Sequence, residues 1–221
     1  MSDLHGQWDK YQKMLETIRF SEDDVLYVLG DFVDRGENGI RILLDVMSRP
    51  NVVSLVGNHD WTMASLIGYR SRLLEQIGPE GVQDLFDLWF SDGGLFTYME
   101  FRALDPETKR DVLTFVNEMH YIYEVEVNGR KFFLSHTLPA YDGKPLKEHP
   151  ADDFLHGMPD YGVAYDGDVI FVTGHTPTEI IDPDYEGRIW QGNNHVAIDC
   201  GAGFGGKLGC LRLDDMREFY V

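Results

Sequence analysis

Val25-Leu26-Tyr27-Val28-Leu29-Gly30-Asp31-Phe32-Val33-Asp34-Arg35-Gly36 joins an apolar run to a glycine, and the glycine to two acids and an arginine. The same order returns in Val52-Val53-Ser54-Leu55-Val56-Gly57-Asn58-His59-Asp60. Short apolar runs closed by glycine read as buried strands. The polar residues that follow them then sit at the C-terminal ends of parallel strands, where open α/β sheets form their ligand sites. Ser2-Asp3-Leu4-His5-Gly6 carries a similar acid and histidine at the start of the chain. Two more histidines close apolar runs further on, in Phe132-Phe133-Leu134-Ser135-His136 and Val169-Ile170-Phe171-Val172-Thr173-Gly174-His175-Thr176-Pro177.

Asp3, His5, Asp31 and Asn58 offer hard oxygen and borderline nitrogen donors, the mixture that suits divalent Mn, Fe or Zn. A carboxylate such as Asp31 can bridge two ions. Two ions about 3.5–4 Å apart clamp the attacking and leaving oxygens of a phosphoryl transfer and bring the pKa of a bound water toward neutrality. The chemistry expected of these residues is therefore hydrolysis, with His136 and His175 completing the ligand set.

Together the runs resemble the SDxHG, GDxVDRG, GNH(D/E), SH and GHTP motifs of the calcineurin-like metallophosphoesterases. Asp34-Arg35-Gly36 is similar to the serine/threonine phosphoprotein phosphatase branch. Trp89-Phe90-Ser91-Asp92-Gly93-Gly94-Leu95-Phe96-Thr97 and Ile198-Asp199-Cys200-Gly201-Ala202-Gly203-Phe204-Gly205-Gly206-Lys207-Leu208 resemble segments of bacterial members, so the likeness spans nearly the whole chain.

The resemblance implies two divalent metal ions, with Asp3 and His5 on the first, Asp31 bridging, and Asn58, His136 and His175 on the second. It implies a bridging hydroxide as nucleophile and His59 as the general acid, oriented by Asp34. Arg35 would grip the phosphate, with Asn58 beside it; a planar guanidinium donates to two oxygens at once and stays charged.

Two departures stand out. Members of the branch carry a second phosphate-gripping arginine between the last two histidines, but residues 137 to 174 hold only Lys144 and Lys147 as cations. Members also have an apolar strand before the first motif, whereas only Met1 and Ser2 precede Asp3 here. A terminus not tied into a sheet frays, so the expectation is either a weakly held first metal pair or a chain that starts inside a longer natural protein. Asp60 stands where many relatives have glutamate.

At 221 residues and 43% hydrophobic the chain can bury a full core, and residues 1–221 read as one domain. A net charge of −19 argues against nucleic-acid binding, which needs a basic face. No apolar run suits a signal peptide or a membrane span, so the expected location is cytoplasmic, away from membranes. Two cysteines, Cys200 and Cys210, make no disulfide framework and read as buried thiols in a C-terminal hairpin. Nothing in the sequence fixes an oligomeric state.

Helical spacing of Trp8, Tyr11, Leu15 and Ile18, and of Ile40, Leu43, Leu44 and Met47, places crossover helices after the first two motifs. Residues 66 to 89 read as helical with a break at Gly78-Pro79, and Asp105-Pro106 starts another helix. Strands are expected over 121–127 and 131–135, joined at Asn128-Gly129, and over 169–173, 196–200, 208–213 and 218–221. The fold class is α/β; the resemblance implies two packed mixed β-sheets flanked by helices, an αββα sandwich.

The stretch from 137 to 167 reads as a loop between two expected ligands. Its acids, with Asp168 just beyond it, either bias the site against acidic peptides or merely solvate the surface. Trp61-Thr62-Met63 reads as core packing and not as a base-stacking platform. Gly203-Phe204-Gly205-Gly206 reads as a tight hairpin, and His120, His149, His156 and His195 as structural or surface residues.

A phosphorylated substrate follows from the resemblance. The first expectation is a serine/threonine-type protein phosphatase acting on phosphoproteins. The alternative is a hydrolase of dinucleoside polyphosphates of the diadenosine tetraphosphate type. A non-catalytic module of the same fold ranks below both, because the ligand set and His59 are intact.

Overall fold

A computed structural model describes residues 1–165 and 167–221. Asp166, one of the loop acids, lies outside the described residues. The first layer opens with α1 (Trp8–Ile18), β1 (Leu26–Val28), α2 (Gly39–Met47) and β2 (Val52–Ser54), with β1 and β2 parallel. The crossover helices follow the predicted spacing: Tyr11, Met14 and Leu15 of α1 and Ile40, Ile42, Leu43 and Val46 of α2 are buried.

The start of the chain corrects the expectation of a frayed terminus. The Met1 ammonium donates to Tyr27 O at 3.0 Å, Leu29 N to Met1 O at 3.0 Å and Asp3 N to Gly30 O at 3.1 Å. His5 N and Gly6 N continue the ladder to Asp31 O and Phe32 O, at 2.8 and 2.9 Å. Residues 1–5 are all buried. The Met1 ammonium, the amides of Asp3, His5 and Gly6 and the Met1 carbonyl pair with residues 27–32, and Leu4 joins the apolar core.

Helices α3 (Asn58–Gly68), α4 (Arg70–Trp89), α5 (Leu95–Ala103) and α6 (Pro106–Glu118) follow, with a π-type turn over Phe90–Gly94. The break foreseen at Gly78-Pro79 is present, with Gly78 at φ 71°. Asp105 caps α6 by accepting from Glu107 N and Thr108 N at 2.9 and 3.1 Å.

The second layer is a mixed five-stranded sheet. β3 (Ile122–Val127) and β4 (Arg130–Ser135) form the expected hairpin, with Asn128 and Gly129 both at positive φ as a type I′ turn demands. The order is β3, β4, β5 (Val169–Thr173), β7 (His195–Ala197), β6 (Trp190–Gly192), with β4, β5 and β7 parallel. Strand β6 was not expected. Its turn, Asn193-Asn194 at φ 48° and 60°, is the signal that marks it.

Helix α7 (Asp153–His156) precedes β5, α8 (Thr178–Ile181) follows it, and the hairpin of β8 (Gly209–Arg212) and β9 (Arg217–Tyr220) comes last. Cys200 lies outside that hairpin and Cys210 on β8, and both are buried free thiols. The glycine run expected as a tight hairpin is a 3-10 turn over Ala202–Phe204.

Alternation within β4 and β5 explains the layering. Phe132, Leu134 and Val172 face Leu29, Leu55, Val196 and Leu211 in a core between the layers. Phe133 and Phe171 face the other way, against Leu138, Phe154 and Tyr165. Helices α1 to α6 cover the outside of the first layer. This is the expected α/β class with helices on both outer faces, but the first layer is pieced from short pairs. The left-handed Gly30, at φ 91°, follows β1 closely and limits it to three residues. No described helix is long and apolar enough to cross a membrane.

Candidate active site

The ends of β1, β2, β4 and β5 bring all the sequence-predicted residues to one place. His136 Nδ1 lies 2.8 Å from Leu29 O. Donation to that carbonyl fixes the tautomer and turns the Nε2 lone pair toward the cluster. There it meets Asn58 Oδ1 at 2.9 Å and His175 Nδ1 at 3.1 Å, while Asn58 Oδ1 and His175 Nδ1 are 3.1 Å apart. Asp31 Oδ2 is 3.5 Å from His136 Nε2. Four donor atoms from four motifs thus converge on a point that suits a divalent cation.

Asp31 Oδ2 also faces His5 Nε2, at 3.6 Å. His5 repeats the tautomer device, with Nδ1 3.0 Å from Val33 O. Asp3, Asp31 and His136 form one set of potential ligand atoms within 4.8 Å, and His5, Asp31 and His59 another; Asp31 belongs to both. That shared position is what a bridging carboxylate requires. Asp3 accepts from His175 N at 3.0 and 3.2 Å and from the Ser2 hydroxyl, so the first and fifth motifs are sewn together.

Burial sets the charge states. It is the largest influence on His136 and His175, which it pushes down to about 3 and about 4, and it holds His5 well below the usual range. These imidazoles are neutral at neutral pH, as ligands must be. Burial also drives Asp31 well above the usual carboxylate range; the charge of His59 opposes this, and those of Asp3 and Asp60 add to it. A buried carboxylate held among neutral histidines gains most from a cation.

His59 differs. Burial alone would lower its pKa, but the charge of Asp31 and then the bond to Asp34 reverse this and raise it to about 9. Its Nδ1 is 2.7 Å from Asp34 Oδ2, which leaves Nε2 pointing into the cluster, 3.1 Å from Arg35 Nη2 and 3.8 Å from Asp92 Oδ2. With Nδ1 on Asp34, Nε2 is the nitrogen left free to exchange a proton at the edge of the cluster, and here it faces the Arg35 guanidinium. Arg35 Nη1 reaches His5 Nε2 at 2.7 Å, and its guanidinium lies 4.3 Å from the centre of the Phe204 ring.

Backbone strain concentrates here. Asp3, His5, Asp31, Asp34, Arg35 and His175 all have φ between 41° and 70°, six of the eleven non-glycine residues at positive φ among those described. Such conformations persist where the surroundings over-determine them, typically at ligand clamps. Asp60 does part of that work. Its buried carboxylate accepts from Asp31 N, Phe32 N and Gly57 N at 2.8, 2.9 and 3.0 Å, which pins the second motif to the third. The packing is tight enough that a Cβ on Gly57 would collide with the Asp31 carboxylate.

Residues 89–97 hold positions the sequence reading named only by resemblance. Trp89 Nε1 donates to Asp34 Oδ2 at 2.9 Å, Asp34 N donates to Thr97 Oγ1 at 2.9 Å, and Arg35 N donates to Gly93 O at 3.1 Å. The Asp34-Arg35 dipeptide is therefore braced by this turn, and Asp92 lies 3.7 Å from Arg35 Nη2. Replacing Trp89 with Phe keeps an aromatic ring but removes the indole donor. We expect kcat to fall on the order of tenfold, the low end of what an outer-shell partner costs, and the basic limb of the pH–rate profile to move upward as Asp34 turns more fully to His59. An unshifted profile would mean that Trp89 only packs.

Lys144 is tied to Asp142 on the surface, and nothing places it at the cluster. Of the unassigned histidines, His195 is buried and bonded through Nε2 to Thr173 Oγ1 at 2.7 Å, and His149 packs between Asp142 and Asp153. Trp61 corrects an expectation: Met63 is in the core, but Trp61 is 41% exposed because it lies on the opposite side of α3. It stands edge-on to His156, 6.2 Å between ring centres, so the loop after His136 does come up beside α3.

The arrangement is that of a binuclear metallohydrolase. The chain belongs to the calcineurin-like phosphoesterases, whose family profile matches residues 1–205, and it is a metal-dependent phosphoesterase. It is 23% identical to the symmetrical bis(5'-nucleosyl)-tetraphosphatase of Actinobacillus succinogenes over a 269-residue alignment covering 99% of this chain and 94% of that protein. It is 25% identical to serine/threonine-protein phosphatase 2 of Salmonella typhimurium, over 71% of this chain and 61% of that one. A solved structure described as a candidate diadenosine tetraphosphatase superposes with a TM-score of 0.67 at 17% identity, covering all of this chain and 90% of that one, a likeness of fold.

Proposed function

We propose that this chain hydrolyses dinucleoside polyphosphates of the diadenosine tetraphosphate type. The observation that carries the reading is the end-to-end similarity to a symmetrical tetraphosphatase, 99% of one chain against 94% of the other. It moves the alternative of the sequence analysis ahead of the protein phosphatase. The latter keeps one specific support, the Asp34-Arg35-Gly36 run together with the partial similarity to a serine/threonine phosphatase.

In this reading Asp3 and His5 would hold one divalent ion and Asn58, His136 and His175 the other, with Asp31 placed to serve both. When bound, the two ions acidify a water and neutralise charge on the transferred phosphoryl group. The oxygen and nitrogen donors suit Mn, with Fe and Zn as competitors. Arg35 and Asn58 hold phosphate oxygens in place. As the water oxygen adds to phosphorus and the bridging P–O bond breaks, His59 passes its Nε2 proton to the leaving oxygen, and Asp34 steadies the ring. Cleavage between the two middle phosphates gives two nucleoside diphosphates. Two free thiols, Cys200 and Cys210, suit a reducing cytoplasm.

A substrate panel tests this. Diadenosine tetraphosphate should be turned over with kcat/KM at least on the order of 10² above that for phosphoseryl peptides, a gap of about 2.7 kcal/mol in transition-state binding. Chelation should abolish both activities and Mn²⁺ restore them. Preference for the peptides would transfer the assignment to the protein phosphatases.

A further inference from the structure

A cavity of about 890 Å³ opens beside the site, against α3 and α4. Its size is that of a small-molecule site. It touches Asn58, His59 and Asp92, but Asp3, His5 and Arg35 are not among its walls. It is therefore placed on the side of His59, the side to which a leaving group departs. Helix α3 starts at Asn58 and presents Trp61, Ser65 and, just past its end, Tyr69 to the cavity, at the four-residue spacing of one helix face. At about 1.5 Å rise per residue, Trp61 stands one short step from His59 and Tyr69 at the far end.

The chemistry of the walls is specific. Trp61 and Tyr69 are 41% and 50% exposed, so both offer aromatic surface on which a flat ring can stack. Leu66, Leu85 and Met119 make an apolar surround, and Gln76 and Asn117 offer amides that can pair with the edge of a heterocycle. Arg72 brings a cation into a molecule of net charge −19. Aromatic faces and amide edges beside His59, with one guanidinium toward the far end of α3, suit a base joined to a short phosphate chain. An acidic or apolar peptide would use few of these features.

We propose that this cavity is the subsite for the leaving nucleoside diphosphate half, with Trp61 as its stacking platform. The proposal rests on the nucleotide reading above. It reverses the expectation that Trp61 belongs to the core. Base stacking tolerates different bases, because each has a π-face, so the subsite should accept guanosine and adenosine compounds alike.

The test uses the full chain loaded with Mn²⁺, and calorimetric titration with adenosine 5'-diphosphate and with base-free tripolyphosphate. Trp61→Ala should weaken the diphosphate about tenfold or more, as loss of one base–aromatic stack does, while Trp61→Phe retains most of the affinity. The ratio of nucleotide to tripolyphosphate affinity should fall in Trp61→Ala and recover in Trp61→Phe. An unchanged ratio overturns the subsite, as does a Trp61→Ala effect confined to phosphopeptide binding. Tyr69→Ala is a second probe should Trp61→Ala fold poorly. Kinetics keep the two claims apart. If the wild type cleaves diadenosine tetraphosphate but its kcat/KM relative to an aryl phosphate is the same in Trp61→Ala, the subsite fails and the function stands. If it does not cleave the dinucleotide yet binds the diphosphate through Trp61, the function fails and the subsite stands.

Discussion

Asp31→Asn should lose at least on the order of 10²-fold in kcat/KM, beyond the 10–100-fold typical of an outer-shell partner, and should bind fewer than two ions per chain. Its Oδ2 lies within 3.6 Å of both His5 Nε2 and His136 Nε2. Amidation removes the negative charge facing both cations. Asp31 Oδ1 also accepts from His59 N at 3.0 Å, so the start of α3 loosens with it. Asp3→Asn should cost less and spare the second ion, because Asp3 borders one half of the cluster and is held by His175 N. Metal content by mass spectrometry beside the activity assay decides between them. Equal metal and activity losses in the two variants would remove Asp31 from the bridging role.

The residues that gather at the site were legible in the sequence because each closes a recognisable apolar run or glycine-bounded motif, and strand ends converge by topology. What could not be read was what holds them. Asp60 differs from its relatives' glutamate by one methylene, and only its three accepted backbone bonds show that it locks two motifs together. Trp89 lies 55 residues from Asp34 in the chain, and no local pattern says that its indole meets that carboxylate. The first strand was misjudged for a related reason. Apolar length was the criterion applied to residues 1–5, but backbone pairing with residues 27–32 decides their order.

The same limit explains Trp61. A residue two places after His59 on an amphipathic helix can face either way, and the deciding fact is where α4 and the loop carrying His156 come to rest. Periodicity sees one helix at a time. Strand β6 shows the complementary case, since its Asn-Asn turn was present in the sequence but the run before it is too short and mixed to stand out.

His59→Asn should keep both ions and lose on the order of 10²–10⁴ in kcat with a poor leaving group, the range for a general acid. Metal retention is expected because Nδ1 is taken by Asp34 and Nε2 faces Arg35 and Asp92. The loss should shrink with an aryl phosphate whose leaving oxygen needs no proton. The pH dependence has a definite sign. An acid catalyst acts only while protonated, and His59 stays so until pH rises through its raised pKa of about 9, where Asp31 and Asp34 hold it. Bound cations offset the charge of Asp31 and move that limb lower. Wild-type kcat should therefore fall with rising pH at or below about 9, and the falling limb should vanish in His59→Asn. Loss of metal from the variant, or an unchanged limb, would make His59 a ligand and leave the proton to another group.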